Sequence, residues 1–203
     1  METVALNFKF KGSRKYVHGP DIYNTMLENA IARRDPSQIK RVKLVIHAFA
    51  SHQCQLLVGR PGESFNKPDH LIADLTLVTA EGNVTSALVE TGQSINDTYS
   101  FDEGKIEALC KISGQSITIN GDSGFSSVEV AVSMTKQLHN RLFPRKDGKW
   151  IVTGYDLTRP LAPEDSANLT VHFRHNFNDR LTKSELMSRR KAIGNIFFSL
   201  VTQ

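Results

Sequence analysis

The chain of 203 residues has little cysteine and no long apolar run. Its two cysteines, Cys54 and Cys110, show no CxxC spacing and no histidine at the spacing of a metal ligand, which excludes the common zinc and redox motifs. Both lie in strand-like apolar stretches, so we expect buried free thiols and a reducing cytoplasm. Residues 1–12 alternate polar and apolar side chains, so we expect neither a secretory signal nor a membrane span there.

Motifs that bring a known chemistry are also missing. The sequence has no Gly-rich phosphate loop, no nucleophile elbow and no zinc motif, and therefore predicts neither a cofactor nor a metal. The net charge is only +4, with a pI near 9.1. The basic residues are spread over the chain and form no stripe interleaved with aromatics, so we expect no nucleic-acid partner.

The basic residues form five small groups. Such groups are usually solvated faces and turn tips, and the alternative is a surface that attracts and orients an acidic partner. The groups are Lys9 with Lys11, Arg14 and Lys15; Arg33 with Arg34; Lys40 with Arg41 and Lys43; Arg145 with Lys146; and Arg189 with Arg190 and Lys191.

What the sequence does contain is one order of elements that occurs twice. Each half reads as a strand, then one helix, then a series of strands, which predicts an internal duplication with its boundary between residues 98 and 99. The first half has a strand at 4–10, a helix at 22–34 and strands within 42–89; the second has a strand at 105–119, a helix at 127–142 and strands within 150–201.

The two helices differ in their polar surface. In the first, apolar residues recur at three- and four-residue spacing, and Asp21 is the expected N-cap after Gly19 and Pro20. The second leaves little polar surface, as expected for a helix buried along most of its length. Its polar residues Glu129, Ser133 and Gln137 follow one another at four-residue steps, and they either line a pocket or form a solvent edge.

Alternating polar and apolar residues mark the strands, most clearly at 43–49, 71–78 and 169–177. The links between strands are mostly too short for parallel crossovers, which predicts antiparallel pairing. His175 shares the period-two register of the apolar residues in 169–177, so we expect a core histidine.

One helix after the first strand of each half, followed by a long antiparallel sheet, resembles the hotdog fold. The best local likeness lies in residues 155–165 (YDLTRPLAPED), which are similar to the strand and turn after the central helix of many hotdog thioesterases and dehydratases. The resemblance implies an α+β double hotdog, with two long central helices wrapped by an extended antiparallel sheet. Residues 1–98 would form the N-terminal unit and residues 99–203 the C-terminal unit.

This resemblance also implies an enzyme that acts on an acyl thioester of coenzyme A or of an acyl carrier protein. In hotdog dehydratases a histidine before one central helix and an acidic residue in the other form the active site, and His18 and Glu129 match these positions. Beta-elimination from a hydroxyacyl chain would use His18 as base and Glu129 as acid. Backbone N–H groups of residues 19–22 would polarise the thioester carbonyl.

Substrate-binding candidates beside this pair are Gly19, Asp21, Tyr23, Ser133 and Gln137. Asp21 is otherwise the helix cap, and Tyr23 is otherwise a core tyrosine. A second reaction, hydrolysis or acyl transfer, would use Asp21 or Glu129 to activate the attacking group while His18 orients it. A third hypothesis is a non-catalytic module for acyl binding or assembly. Pairing of two chains into a homodimer is also possible under each hypothesis.

Overall fold

The computed structural model describes residues 2–32, 35–63, 68–144 and 147–202. The chain divides into two compact units, Met1–Phe101 with Thr158–Pro160, and Asp102–Leu157 with Leu161–Gln203. This division falls a few residues after the boundary expected from the sequence. The basic pairs at 33–34 and 145–146 lie outside the described residues.

The first unit contains one long helix and a five-stranded antiparallel sheet. The strand order is β1-β4-β6-β5-β3, and β2 pairs with β7 as a separate parallel ribbon. The elements are β1 (Glu2–Ala5), β2 (Phe10–Lys11), α1 (Gly19–Ile31), a 3₁₀ turn (Pro36–Gln38), β3 (Arg41–Ile46), β4 (His52–Val58), β5 (Leu71–Thr79), β6 (Gly82–Ser94) and β7 (Thr98–Tyr99).

Two predictions for this unit need correction. The single strand expected at 4–10 is interrupted, since β1 ends at Ala5 and β2 begins at Phe10. Helix α1 begins at Gly19 and not near residue 22, because proline is well tolerated in the first turn of a helix and Pro20 lies there. His18, and not Asp21, therefore holds the N-cap position, and Asp21 lies in the first turn.

The second unit contains the longer helix and a six-stranded antiparallel sheet. Its strand order is β10-β13-β12-β11-β9-β8. The elements are α2 (Gly104–Glu107), β8 (Cys110–Ser113), β9 (Ser116–Ile119), α3 (Ser127–Leu142), β10 (Lys149–Leu157), a 3₁₀ turn (Pro163–Asp165), β11 (Leu169–Phe177), β12 (Leu181–Ser188) and β13 (Lys191–Val201).

The expected strand at 105–119 is wrong. This segment forms the short helix α2 and then the hairpin of β8 and β9, whose turn contains Gly114 at a φ of 57°. A positive φ is readily adopted by glycine, so Gly114 permits the tight reversal that a continuous strand would exclude.

In both units two strands precede the long helix and four sheet strands follow it, but the neighbours within the sheets differ. In the first unit β6 lies between β4 and β5, whereas in the second β12 lies between β11 and β13. The links explain the difference: residues 59–70 join β4 to β5 and are long enough to pass another strand, whereas residues 178–180 form a tight hairpin between β11 and β12.

Each unit packs its long helix on its own sheet. Helix α1 contacts β5 and β6 and buries Ile22, Met26 and Ala30. Helix α3 contacts β9, β10 and β11, and buries apolar residues such as Val128 and Leu138. These contacts agree with the α+β prediction of a central helix against an antiparallel sheet. Within the described part of the chain, no helix is long and apolar enough to cross a bilayer.

Candidate functional site

His18 lies at the N-cap of α1 with extended backbone, and its side chain forms no capping bond. Its Nδ1 atom lies 3.1 Å from Nζ of Lys11, and its ring centroid lies 6.3 Å from that of Phe101. The imidazole is half-buried. The partner of Nδ1 is therefore the side chain of a lysine.

The backbone of the first turn of α1 limits which N–H groups can bind a substrate. The N–H groups of Asp21 and Ile22 both donate to the His18 carbonyl, at 2.9 and 3.2 Å. Pro20 has no N–H. Among residues 19–22, Gly19 alone has an N–H group that does not donate to the His18 carbonyl. Gly19 is therefore the remaining candidate in this turn for binding the carbonyl of a substrate.

The Asp21 side chain forms the best-defined polar contact in the first turn. The hydroxyl of Tyr99 lies 2.9 and 2.7 Å from the two carboxylate oxygens of Asp21. Tyr99 belongs to β7, far along the chain, so a tertiary contact holds this carboxylate in place. Both residues are half-buried, which leaves Asp21 partly accessible to solvent.

Asp21 and Tyr99 line an open pocket of about 330 Å³ in the first unit. That volume is at the lower end of the range for small-molecule sites. Most of the lining side chains are polar. The lining residues are Asn7, Phe8, Lys9, Asp21, Asn24, Thr25, Glu28 and Tyr99.

Tyr23 lies on the inner face of α1 and is only 1% exposed. This burial agrees with the core tyrosine that the sequence left open as an alternative. Neither Tyr23 nor His18 is among the residues that line the 330 Å³ pocket.

Glu129 is at the third position of α3, where it completes a capping box with Ser126. The Glu129 Oε2 atom accepts hydrogen bonds from the Ser126 N–H at 3.1 Å and from its Oγ at 2.7 Å, while the Glu129 N–H donates to Ser126 Oγ at 3.4 Å. The helix dipole also favours a negative charge at this position. These contacts give Glu129 a structural role at the start of α3.

Ser133 and Gln137 lie one and two turns further along the same face. Ser133 is buried and accepts a hydrogen bond from Nε2 of Gln137 at 3.4 Å. Gln137 also forms a hydrogen bond with the side chain of Cys110. Ser133 is therefore not at a solvent edge, and a role for either residue in substrate binding stays a prediction. Glu129 belongs to the second unit and His18 to the first, and their pairing as a dyad also stays a prediction.

Both cysteines are free, as expected from the sequence; Cys54 is buried as expected, whereas Cys110 is only half-buried. Burial, with a smaller contribution from the Glu90 carboxylate, raises the pKa of Cys54 to about 12. Burial also raises the pKa of Cys110 to about 11, against the opposing effect of its hydrogen bond with Gln137. Both thiols are thus poor nucleophiles at neutral pH.

The expectation that His175 is a core histidine is wrong. Strand β11 has a register shift between Phe173 and His175 in its pairing with β12, and His175 is exposed. Residues 174–177 are all exposed, so this end of β11 lies outside the core and the period-two pattern no longer indicates burial there. Among the described residues, no group of three or more potential ligands is arranged to hold a metal ion.

Two residues near the predicted site could not be found from the sequence. Lys11 resembles its exposed neighbours in a basic group, and Tyr99 lies in the stretch expected to connect the two halves. Both reach α1 through tertiary contacts, and their local patterns give no signal of it.

No protein-family model and no curated protein matches this chain significantly. Solved structures do match. The protein assigned as thioesterase II of Thermobifida fusca has 10% identity, covers 98% of this chain and 91% of its own, and has a TM-score of 0.51. The tesB protein of Mycobacterium avium subsp. paratuberculosis has 8% identity, covers 99% and 92%, and has a TM-score of 0.52.

A dehydratase domain from a trans-AT polyketide synthase split module also matches, with 9% identity, coverage of 99% and 100%, and a TM-score of 0.46. That superposition is too loose to support an argument. At 8–10% identity the two closer likenesses establish the fold and not the reaction. Both are hotdog-fold proteins, and their matches span the two units described above. The chain therefore has a hotdog-like fold.

Proposed function

We propose that this protein hydrolyses an acyl thioester, with Asp21 as the general base. The observation that supports it most directly is the place of the Asp21 carboxylate. It lines the pocket at the first turn of α1 and is held there by the Tyr99 hydroxyl at 2.7 and 2.9 Å. A fixed, partly accessible carboxylate beside a helix N-terminus is what activation of a water molecule requires.

The reaction itself balances without a cofactor. Asp21 accepts a proton from water as the water oxygen attacks the carbonyl carbon, which gives a tetrahedral oxyanion. The carbon–sulfur bond then breaks, and the sulfur leaves as a thiolate that takes up the proton held by Asp21, so that the Asp21 carboxylate is restored and a free carboxylic acid remains. The Gly19 N–H and His18 are the candidate donors to the oxyanion in the first turn.

Elimination from a hydroxyacyl chain, the reaction expected first from the sequence, has weaker support. Its acid must give a proton to the leaving hydroxyl, and so must begin in the protonated form. Oε2 of Glu129 instead accepts two hydrogen bonds from Ser126 in the capping box, which is a structural role for this carboxyl group.

The substrate class proposed is a thioester of coenzyme A or of an acyl carrier protein, in agreement with the polar lining of the pocket. Two of the basic groups are exposed and are candidates for contact with an acidic carrier: Lys40 with Arg41 and Lys43 at the start of β3, and Arg189 with Arg190 and Lys191 at the β12–β13 turn. A weak positive field speeds the encounter with such a partner.

The test compares two carboxylates of one pocket. Release of free thiol from saturated acyl-CoA is measured with a chromogenic disulfide for wild type, Asp21→Asn and Glu28→Gln. We expect Asp21→Asn to lower kcat by about 10² to 10⁴, the usual contribution of a general base. Glu28 is exposed, so Glu28→Gln should keep most of the wild-type kcat. Equal losses in the two variants, or full activity in Asp21→Asn, would contradict the assignment of Asp21.

A further inference from the structure

Lys11 is a lysine with no exposed surface, although its neighbours in the same basic group are at the surface. An ammonium group loses several kcal/mol of hydration when it is buried, unless neighbouring groups replace the water. Lysine is therefore among the residues least often found fully buried. The groups around its Nζ atom show what replaces the water.

One neighbour is the face of an aromatic ring. Nζ of Lys11 lies 3.3 Å from the centroid of the Phe101 ring and 5.9 Å from that of Tyr99. The negative face of an aromatic ring attracts a cation and does not attract a neutral amine in the same way. The position over Phe101 therefore favours the charged form of Lys11.

A second neighbour is the imidazole of His18, whose Nδ1 atom lies 3.1 Å from the same Nζ. An ammonium group has three N–H donors and no acceptor. In a hydrogen bond with it, Nδ1 must supply the lone pair, and the single proton of the neutral ring must then be on Nε2.

We propose that Lys11 is a positioning residue that fixes His18 in the Nε2–H tautomer, so that His18 donates a hydrogen bond to the thioester carbonyl oxygen and does not act as a base. The role in the reaction rests on the hydrolysis proposed above, whereas the tautomer follows from the Lys11–His18 contact alone. With Nδ1 occupied and Nε2 protonated, the neutral ring has no free lone pair with which to remove a proton. Asp21, three residues later, then supplies the base.

The tautomer can be read from the ring nitrogens themselves. Protein labelled with ¹⁵N in its histidines is examined by NMR at a pH where the ring is neutral, and the spectrum of His18→Gln identifies the signals of His18. We expect wild type to show a protonated Nε2 and an unprotonated Nδ1. A protonated Nδ1 in wild type would overturn the proposal, because Lys11 would then be an acceptor and hence uncharged.

Two variants separate positioning from structure. Lys11→Met removes the donor while keeping an apolar stem, and Lys15→Met changes an exposed lysine of the same segment. In Lys11→Met we expect a mixture of tautomers and a fall in kcat/KM of about 10²-fold, the effect of losing one oxyanion donor. Lys15→Met should match wild type in both measurements. An unchanged His18 tautomer in folded Lys11→Met would overturn the proposal.

The spectrum of wild type requires neither a variant that folds nor an active enzyme. Should wild type show the expected Nε2–H tautomer but release no thiol from any acyl thioester, the proposed hydrolysis fails while the Lys11–His18 arrangement stands. The NMR spectrum thus tests the tautomer of His18, and thiol release separately tests the hydrolysis.

Discussion

His139 gives this protein an acid-sensitive core, and its replacement should remove much of that sensitivity. The residue lies near the end of α3 and is fully buried. Within the described residues, neither of its ring nitrogens has a hydrogen-bond partner. Its ring centroid lies 4.7 Å from that of Trp150 and 5.2 Å from that of Phe198, and the rings of Phe143 and Phe173 lie just beyond 6 Å.

Burial in this aromatic cluster lowers the pKa of His139 from 6.5 to about 4. Above pH 6.5 the ring is neutral in both folded and unfolded chains, so it adds no dependence on pH. As the pH falls from about 6.5 to about 4, the unfolded chain binds a proton that the folded chain does not, and the folded state loses stability. A difference of about 2.5 pKa units, at about 1.36 kcal/mol each, makes this loss about 3 kcal/mol.

His139→Leu replaces the ring with an apolar side chain of similar volume that cannot titrate. Between pH 7 and pH 4 the free energy of unfolding falls in both proteins. We expect the fall in the variant to be smaller than that in wild type by about 3 kcal/mol. At pH 7 the variant should be at least as stable, because two unpaired polar atoms leave the core.

The assay is urea unfolding at a series of pH values, followed by fluorescence. Trp150 is the single tryptophan of the chain and belongs to the same cluster, so it reports unfolding where the change is made. His175→Gln, which alters an exposed histidine, is the control and should keep the dependence on pH of wild type. Parallel curves for wild type and His139→Leu would refute the reasoning.

Three further predictions concern other parts of the chain. Tyr99→Phe should lower kcat for thioester hydrolysis by roughly 10-fold or more, since a hydrogen bond to a charged group contributes about 1.5–3 kcal/mol and this one holds Asp21; steady-state kinetics would check it, and an unchanged kcat would mean that Asp21 needs no such support. Arg189→Asn with Arg190→Gly should raise the free energy of unfolding by about 1–2 kcal/mol, because both arginines have a positive φ, 49° and 66°, at an exposed hairpin turn. The same change removes two positive charges and should slow association with an acidic carrier protein. Thermal unfolding and stopped-flow binding would check the two effects, and a less stable variant would contradict the strain argument. Cys54, with its pKa near 12, should resist iodoacetamide at pH 8 until the protein is unfolded, and mass spectrometry of labelled peptides would show early modification if this is wrong.

Local patterns in the sequence predicted the regular elements where tertiary effects are small. The helix at 127–142 and the strand at 169–177 have the bounds expected from their apolar periodicity. The start of α1 was missed because Pro20 is compatible with a helical first turn. The strand order of the first unit follows from the length of the link at 59–70, which periodicity does not reveal.

The same local patterns predict only part of the candidate site. Asp21 and His18 stand out as polar residues at a helix start, and both have well-defined contacts there. Their partners Tyr99 and Lys11 come from β7 and β2, which pair in parallel beside the start of α1. A sequence read by periodicity gives the type of each element, but it cannot show which distant side chain will meet a given carboxylate or imidazole.

One incubation tests the central claim most directly. A 3-hydroxyacyl-CoA can be hydrolysed at its thioester or dehydrated to an enoyl thioester, so the wild-type protein is given this single substrate while free thiol and enoyl absorbance are recorded together. We expect stoichiometric release of thiol with no rise in enoyl absorbance, and loss of that release in Asp21→Asn. Formation of the enoyl thioester without free thiol would contradict it and would favour elimination by His18 and Glu129.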